Sequence, residues 1–293
     1  MKTKPTHSLV NRLETIYRQN RSLIMMYAVL MFLSIPFVYP FWWMITSSFK
    51  PFEEIFAYPP SLFPEKWVFE NYLNVFELQP FARQFFNSLY IAIAVTLIVM
   101  FISSLAGYAF ARIKFRGNGL LFVMILSAIM MPSEVTIIPL FKYIQDLGLD
   151  NNHLPLILLP AFGSAGVVAT FMMRQYFLGL PKEVEEAALI DGLTRWGIYR
   201  RIALPLARPA LMAVAILTFL HSWNLFLEPL VLINDQNLFT LPLALRGYTD
   251  PYGQPLWGEQ LAATTLSVIP VLIIYVFAQQ HVVESFAFSG TKG

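Results

Sequence analysis

Apolar residues in this chain fall into long unbroken runs. Six runs come close to the roughly 20 predominantly apolar residues needed to cross a hydrocarbon core of about 30 Å. They cover residues 23–45, 85–110, 120–141, 154–177, 209–233 and 261–278. A backbone in lipid must satisfy its own hydrogen bonds, so each run predicts a helix. A β-barrel would show alternating segments of about 10 residues, and the chain has none. The pattern therefore predicts an all-α membrane protein with six transmembrane helices. Prolines 36, 40, 132, 139, 160, 229 and 270 fall inside the runs and predict kinks, because each removes a backbone donor. The first run is longer than the roughly 7–15 residues of a signal-peptide core and is followed by no small-x-small site.

The polar positions give the orientation. Fifteen of the 20 Lys and Arg residues lie before the first run, after the second, after the fourth or after the sixth. The other five, Lys50, Lys66, Arg83, Lys142 and Arg246, lie on the opposite side. Basic loops stay in the cytoplasm. Residues 1–22 are thus expected to be a cytoplasmic segment, 23–280 the six-helix domain and 281–293 a cytoplasmic tail. Outside, residues 46–84 form a long loop rich in Pro and aromatics, with a helix expected over 69–76 on the membrane surface. The outer loop 234–260 reads as irregular. The inner loop 178–208 reads as helical and charged. No internal repeat pairs the spans as in inverted-repeat carriers.

Composition agrees and excludes other classes. Apolar types make up 57% of the 293 residues and charged types 13%, too little charge to cover a soluble surface. Mean hydropathy is +0.58. A net charge of +2 gives no case for nucleic-acid binding. The absence of cysteine removes disulfides, thiolate metal sites and cysteine nucleophiles. There is no G-x-x-x-x-G-K-[ST] phosphate loop, no G-x-S-x-G elbow and no H-E-x-x-H, and the four histidines are scattered. No motif argues for an enzyme and no residue set for a metal.

The informative segment is 181–209, PKEVEEAALIDGLTRWGIYRRIALPLARP. Pro181 suits a first helical position. Glu183, Glu185 and Glu186 favour the positive end of a helix. Ala187, Ala188 and Leu189 are helix formers. Gly192 supplies a left-handed terminator. A second helix is expected from about Thr194 to Ala203, ended or bent by Pro205. On physical grounds this helix–turn–helix suits either a groove on another protein or the lipid headgroups.

Glu186-Ala187-Ala188, three residues, Gly192, nine residues, Ile202, one residue and Leu204-Pro205 match the EAA signature in full. In this the chain resembles the membrane subunits of binding-protein-dependent ABC importers. Residues Phe69-Glu70-Asn71-Tyr72, Asn87-Ser88-Leu89, Ala106 to Arg112 (AGYAFAR), Met131-Pro132, Ile138-Pro139-Leu140, Leu147-Gly148-Leu149, Trp223-Asn224 and Lys292-Gly293 extend the similarity to the carbohydrate branch, the MalG-type permeases. It covers nearly the whole chain beyond the first 20 or so residues. Glu228 departs from the pattern, where an aromatic is usual.

The resemblance implies a permease subunit in a bacterial or archaeal cell membrane. It implies a second, MalF-type permease subunit, two cytoplasmic ATPase subunits and an extracytoplasmic solute-binding protein that delivers sugar. ATP and Mg would belong to the ATPase, with no cofactor in this chain. Glu186, Ala187, Ala188, Asp191, Gly192, Leu204 and Pro205 become the ATPase-coupling residues. A polyol-phosphate or other non-sugar solute remains an alternative cargo. An ion-coupled carrier needs acids at mid-depth; here only Glu134 and Glu228 fall within spans, both toward the outer ends.

The fifth run carries His221, Asn224 and Glu228 among apolar residues. At about 100° per residue, offsets of three and seven bring them within about 60° on one helix. Polar groups facing lipid are costly, so this stripe should face a water-filled cavity or the partner permease. With Glu134, these are the candidate residues of the substrate path.

Overall fold

A computed structural model describes residues 7–290, with side chains for 21 and for 23–277 other than 133. The basic side chains up to Arg18, and Lys292-Gly293, lie outside that description. The helices are α1 (His7–Ser47), α2 (Glu70–Leu78), α3 (Phe81–Arg112), α4 (Asn118–Ser127), α5 (Ser133–Asp146), α6 (His153–Phe162) and α7 (Ser164–Gly179). There follow α8 (Lys182–Ile190), α9 (Arg195–Ile198), α10 (Arg208–Trp223), α11 (Leu227–Leu232) and α12 (Trp257–Gly290). Among the described residues four stretches are long and apolar enough to cross a bilayer: Leu23–Ser47, Phe81–Arg112, His153–Gly179 and Trp257–Phe277. They match the first, second, fourth and sixth expected runs to within a few residues.

The third and fifth runs are not single helices. In the third, Asn118–Met130 and Glu134–Asp146 meet at 99°. Pro132 cannot continue the hydrogen-bond ladder and forces Met131 out of the helical region, to φ −90° and ψ 115°. In the fifth, the helix stops at Trp223, with Asn224 at its C-terminal cap, and restarts at Leu227. The fourth run is interrupted at Gly163, after Pro160, between α6 and α7. A side chain on Gly166 would collide with the Ala161 carbonyl oxygen, so glycine lets the chain pass this joint.

Helix α3 is the centre. Ile91, Val95, Val99 and Tyr108 pack with Leu156, Met173 and Phe177 of the fourth span and Val214 of the fifth. Nearer the N-terminus of α3, Phe81 and Ala92 join Val75, Phe219, Trp223, Leu241, Tyr248, Ala262 and Ala263. Gly107 permits the crossing of α3 and α7: a Cβ there would lie 2.6 Å from Met173 Cβ and 2.9 Å from the Arg174 backbone nitrogen.

The loops 46–84 and 234–260 are fastened by side-chain amides. Asn71 of α2 donates to the carbonyls of Ser48 (2.9 Å) and Lys50 (3.1 Å), and Tyr72 shares a 2.8 Å hydrogen bond with Ser48 Oγ. That secures the end of α1. The segment 236–241 lies across the N-terminal end of α3. Asn87 donates to the carbonyls of Asn237 (2.9 Å) and Phe239 (3.0 Å), Gln84 donates to Gln236 O (3.2 Å), and Ser88 Oγ accepts from Leu241 N–H (2.6 Å). His153 at the start of α6 bridges Tyr90 and Leu238 O. The tetrapeptide containing Asn71 and the pair Asn87-Ser88 thus acquire structural reasons. Tyr248 donates to Val75 O at 3.0 Å, and burial pushes its hydroxyl far above the ordinary phenol value, so it stays protonated as a donor.

Gly107→Leu should force α3 and α7 apart. Overpacking a tight site costs about 1–3 kcal/mol. The thermal unfolding midpoint of the detergent-solubilised chain should fall, whereas Gly119→Ala, in open space, should leave it unchanged.

Candidate functional site

The loop 178–208 forms the expected helix–turn–helix. Pro181 sits at the N-cap of α8, one residue earlier than its expected position, and Glu183 and Glu185 occupy the first turn. Gly192 has φ +80°. The amides of Gly192 and Leu193 return to the carbonyls of Leu189 (3.1 Å) and Ala188 (3.0 Å), closing the helix in a Schellman-type turn. Thr194 caps α9 by accepting from Gly197 N–H at 3.2 Å.

The second helix ends one residue past Pro205, at Leu206. It continues from α9 through a π-helical turn, Tyr199–Ala203, and then Leu204–Leu206. A widened turn relieves the clash that proline makes with the turn before it. The chain bends by 73° between Arg195–Leu206 and α10, at the fully buried Ala207.

The loop has two faces. Glu186, Ala187, Asp191, Gly192 and Pro205 are exposed, Leu204 is half-buried and Ala188 is buried. Ile190 at 87% exposure and Trp196 at 56% stand on the open face beside them. These two apolar side chains were not singled out from the sequence. The signal was there: large apolar residues at the ends of short charged helices have no core to enter.

Glu185 points the other way. The sequence groups it with Glu183 and Glu186 as a first-turn acid, yet it is buried. Its Oε1 lies 3.1 Å from Arg112 Nε and its Oε2 4.0 Å from Arg195. Arg112 also donates to Leu180 O at 2.6 Å. Beside them Tyr199 shares a 2.8 Å hydrogen bond with Ser104, and Tyr108 packs between Phe177 and Tyr199. The AGYAFAR stretch therefore holds the loop: Gly107 gives close approach, Tyr108 packs and Arg112 pairs.

The substrate-path candidates do not form one helical stripe, because the helix breaks between Trp223 and Leu227. His221 is exposed and, with Ser164, Ala165, Met172, Leu217 and Thr218 among others, lines a concavity of about 240 Å³ between α7 and α10. Asn224 is exposed and donates to Leu220 O at 2.7 Å. Glu228 is half-buried in the first turn of α11. Glu134 is exposed in the first turn of α5, against which α11 packs. The geometry thus brings the elements bearing Glu134 and Glu228 together and leaves His221 on α10. Trp223 stacks on Phe219 and meets Phe85 edge-on, within the core.

A bent-helix membrane bundle with a two-helix loop on one face is the architecture of a transport-system permease. Residues 100–287 match the model of the family described as binding-protein-dependent transport system inner membrane component. The chain belongs to that family. It is 37% identical over 259 residues to the probable ABC transporter permease protein YurM of Bacillus subtilis, covering 88% of this chain and 85% of that protein. It is also 37% identical over 259 residues to the arabinooligosaccharides transport system permease protein AraQ of Halalkalibacterium halodurans, covering 87% and 91%. Its fold is similar to a chain in the crystal structure of a bacterial ABC transporter involved in the import of the acidic polysaccharide alginate. The TM-score is 0.75 at 23% identity, with 90% of this chain and 97% of that chain covered.

Gly192→Val should strain the turn, since a β-branched residue at φ +80° costs about 1–3 kcal/mol. Protease cleavage within 190–196 should become faster in the variant, while Gly192→Asn, which tolerates the left-handed region better, should stay close to the parent.

Proposed function

We propose that this chain is one of two permease subunits of an ATP-driven importer for a sugar, and that the loop 178–208 couples it to a cytoplasmic ATPase. The carrying observation is the open face of that loop. Glu186, Ala187, Asp191 and Gly192 are presented outward with Ile190 and Trp196, a small apolar knob ringed by charge. Such a surface suits a groove on a partner protein better than headgroups alone. The signature match and the family membership support the same reading. Sugar as cargo is supported by the arabinooligosaccharide relative and by the carbohydrate-branch motifs.

In this reading six crossings place both termini in the cytoplasm. The second permease, of MalF type, completes the pathway in a bacterial or archaeal cell membrane. A solute-binding protein delivers sugar at the outer face. ATP and Mg act in the ATPase subunits, and this chain performs no covalent chemistry. ATP binding draws the two coupling loops together and biases the bundle toward its outward-open state; hydrolysis resets it. His221, Asn224, Glu228 and Glu134 remain the candidate path residues. The breaks in the third and fifth spans suit that role, because irregular backbone at membrane depth is tolerated where it lines a cavity or is covered by protein.

Orientation is tested with cysteines, since the chain has none. Lys142→Cys should react with an impermeant maleimide from outside intact cells, and Ile190→Cys only after permeabilisation. The reverse pattern would reject the topology.

Coupling is tested with Ala187→Trp and Ile190→Glu in the assembled transporter. Each should leave the chain inserted yet lower co-purification of the ATPase and sugar uptake, by roughly tenfold for a contact at the centre of a docking face. Normal ATPase binding and normal uptake in both variants would defeat the assignment.

A further inference from the structure

We propose that Arg112 and Glu185 are a pair of positioning residues that make the central helix α3 move with the coupling loop. The inference rests on the function proposed above and assigns a role to two residues outside the coupling set.

Three segments meet on one buried carboxylate. Arg112 is the last residue of α3, Glu185 lies in the first turn of α8, and Arg195 begins α9. The Arg112 and Glu185 side chains are 5% and 9% exposed, whereas that of Arg195 is 55% exposed and contributes at the rim. The Arg112 Nε and Glu185 Oε1 atoms face each other at 3.1 Å as a charge contact without hydrogen-bond alignment. The hydrogen bond of Arg112 to Leu180 O fixes the guanidinium on the backbone entering α8. Glu183 and Glu186 are exposed and free to face a partner. Glu185 is turned away and cannot serve docking.

Burying two charges is expensive, and an apolar pair of similar volume would often stabilise the fold as well or better. An apolar contact can slide, however, while a planar guanidinium that donates to the Leu180 carbonyl and faces the Glu185 carboxylate sets distance and direction. The opposite end of α3 carries a second grip, in which Gln84, Asn87 and Ser88 hold the outer segment 236–241. Between the two grips runs a continuous helix of 32 residues, about 48 Å long. A displacement of α8 therefore reaches the outer segment through one rigid element.

The test uses the complex co-purified with its second permease and ATPase subunits. The reporter is Gln236→Cys, whose exposed side chain leaves the backbone bond to Gln84 in place. Its rate of labelling by an impermeant maleimide is measured with and without MgATP, alongside bound ATPase and ATP hydrolysis. The test variant is Arg112→Gln with Glu185→Gln, because removing one partner alone would strand a buried charge. The double variant should still assemble and hydrolyse ATP, and its ATP-dependent change in labelling should shrink roughly tenfold. Glu185→Asp, which keeps the charge, should preserve most of the response. A double variant that responds like the parent overturns the positioning role. So does a double variant that fails to assemble while Arg112→Lys and Glu185→Asp both respond normally, which would mean that the pair serves stability alone. If the parent chain binds no ATPase, the proposed function itself fails, and that result is distinct from both.

Discussion

A chain that crosses lipid must close its backbone hydrogen bonds without help from water. In this protein the amides at the broken spans close locally, Met131 N–H on Ala128 O, Gly163 N–H on Leu159 O and Asn224 N–H on Leu220 O. The helix α3 packs the fourth and fifth spans with its apolar flanks, and Gly107 lets α7 approach to contact distance. Near its N-terminus, α3 side chains satisfy carbonyls and an amide of 236–241.

The breaks are where the fold departs from a simple bundle. Met131-Pro132, Gly163 and the residues after Trp223 each interrupt a run that is apolar enough to continue. At Met131-Pro132 the cause is local, a missing donor and the restricted residue before it. After Trp223 the helix stops while the sequence stays apolar through Leu225 and Phe226, and Pro229 lies too far along to be the immediate cause. There the buried Trp223 and Leu225 and the packing of α11 against α5 set the geometry. The result separates His221 from Glu228, which a continuous helix would have placed together.

The loop 178–208 shows a second constraint, the division of like residues between two faces. Three glutamates crowd the start of α8, and helix-dipole reasoning treats them alike. Packing against the end of α3 selects Glu185 for burial because Arg112 waits there. Glu183 and Glu186 then remain outside. Ala188 goes inward with Glu185, three residues earlier on the same helix face, while Ala187 stays out.

The sequence by itself determined the membrane class, the helical content, the location of most spans within a few residues, the helix near Phe69 and the helix–glycine–helix of the loop 178–208. These depend on run length, charge bias and local backbone preference, all properties of contiguous residues. Its motif spacing also pointed to the family. Only the tertiary structure decided that the third run bends by 99°, that a π-helical turn precedes Pro205, and that the polar stripe of the fifth run is split. It alone paired Arg112 with Glu185 and set Asn87 against residues 150 and more positions away. Those outcomes depend on which distant side chain meets a given group, and helical periodicity carries no information about that.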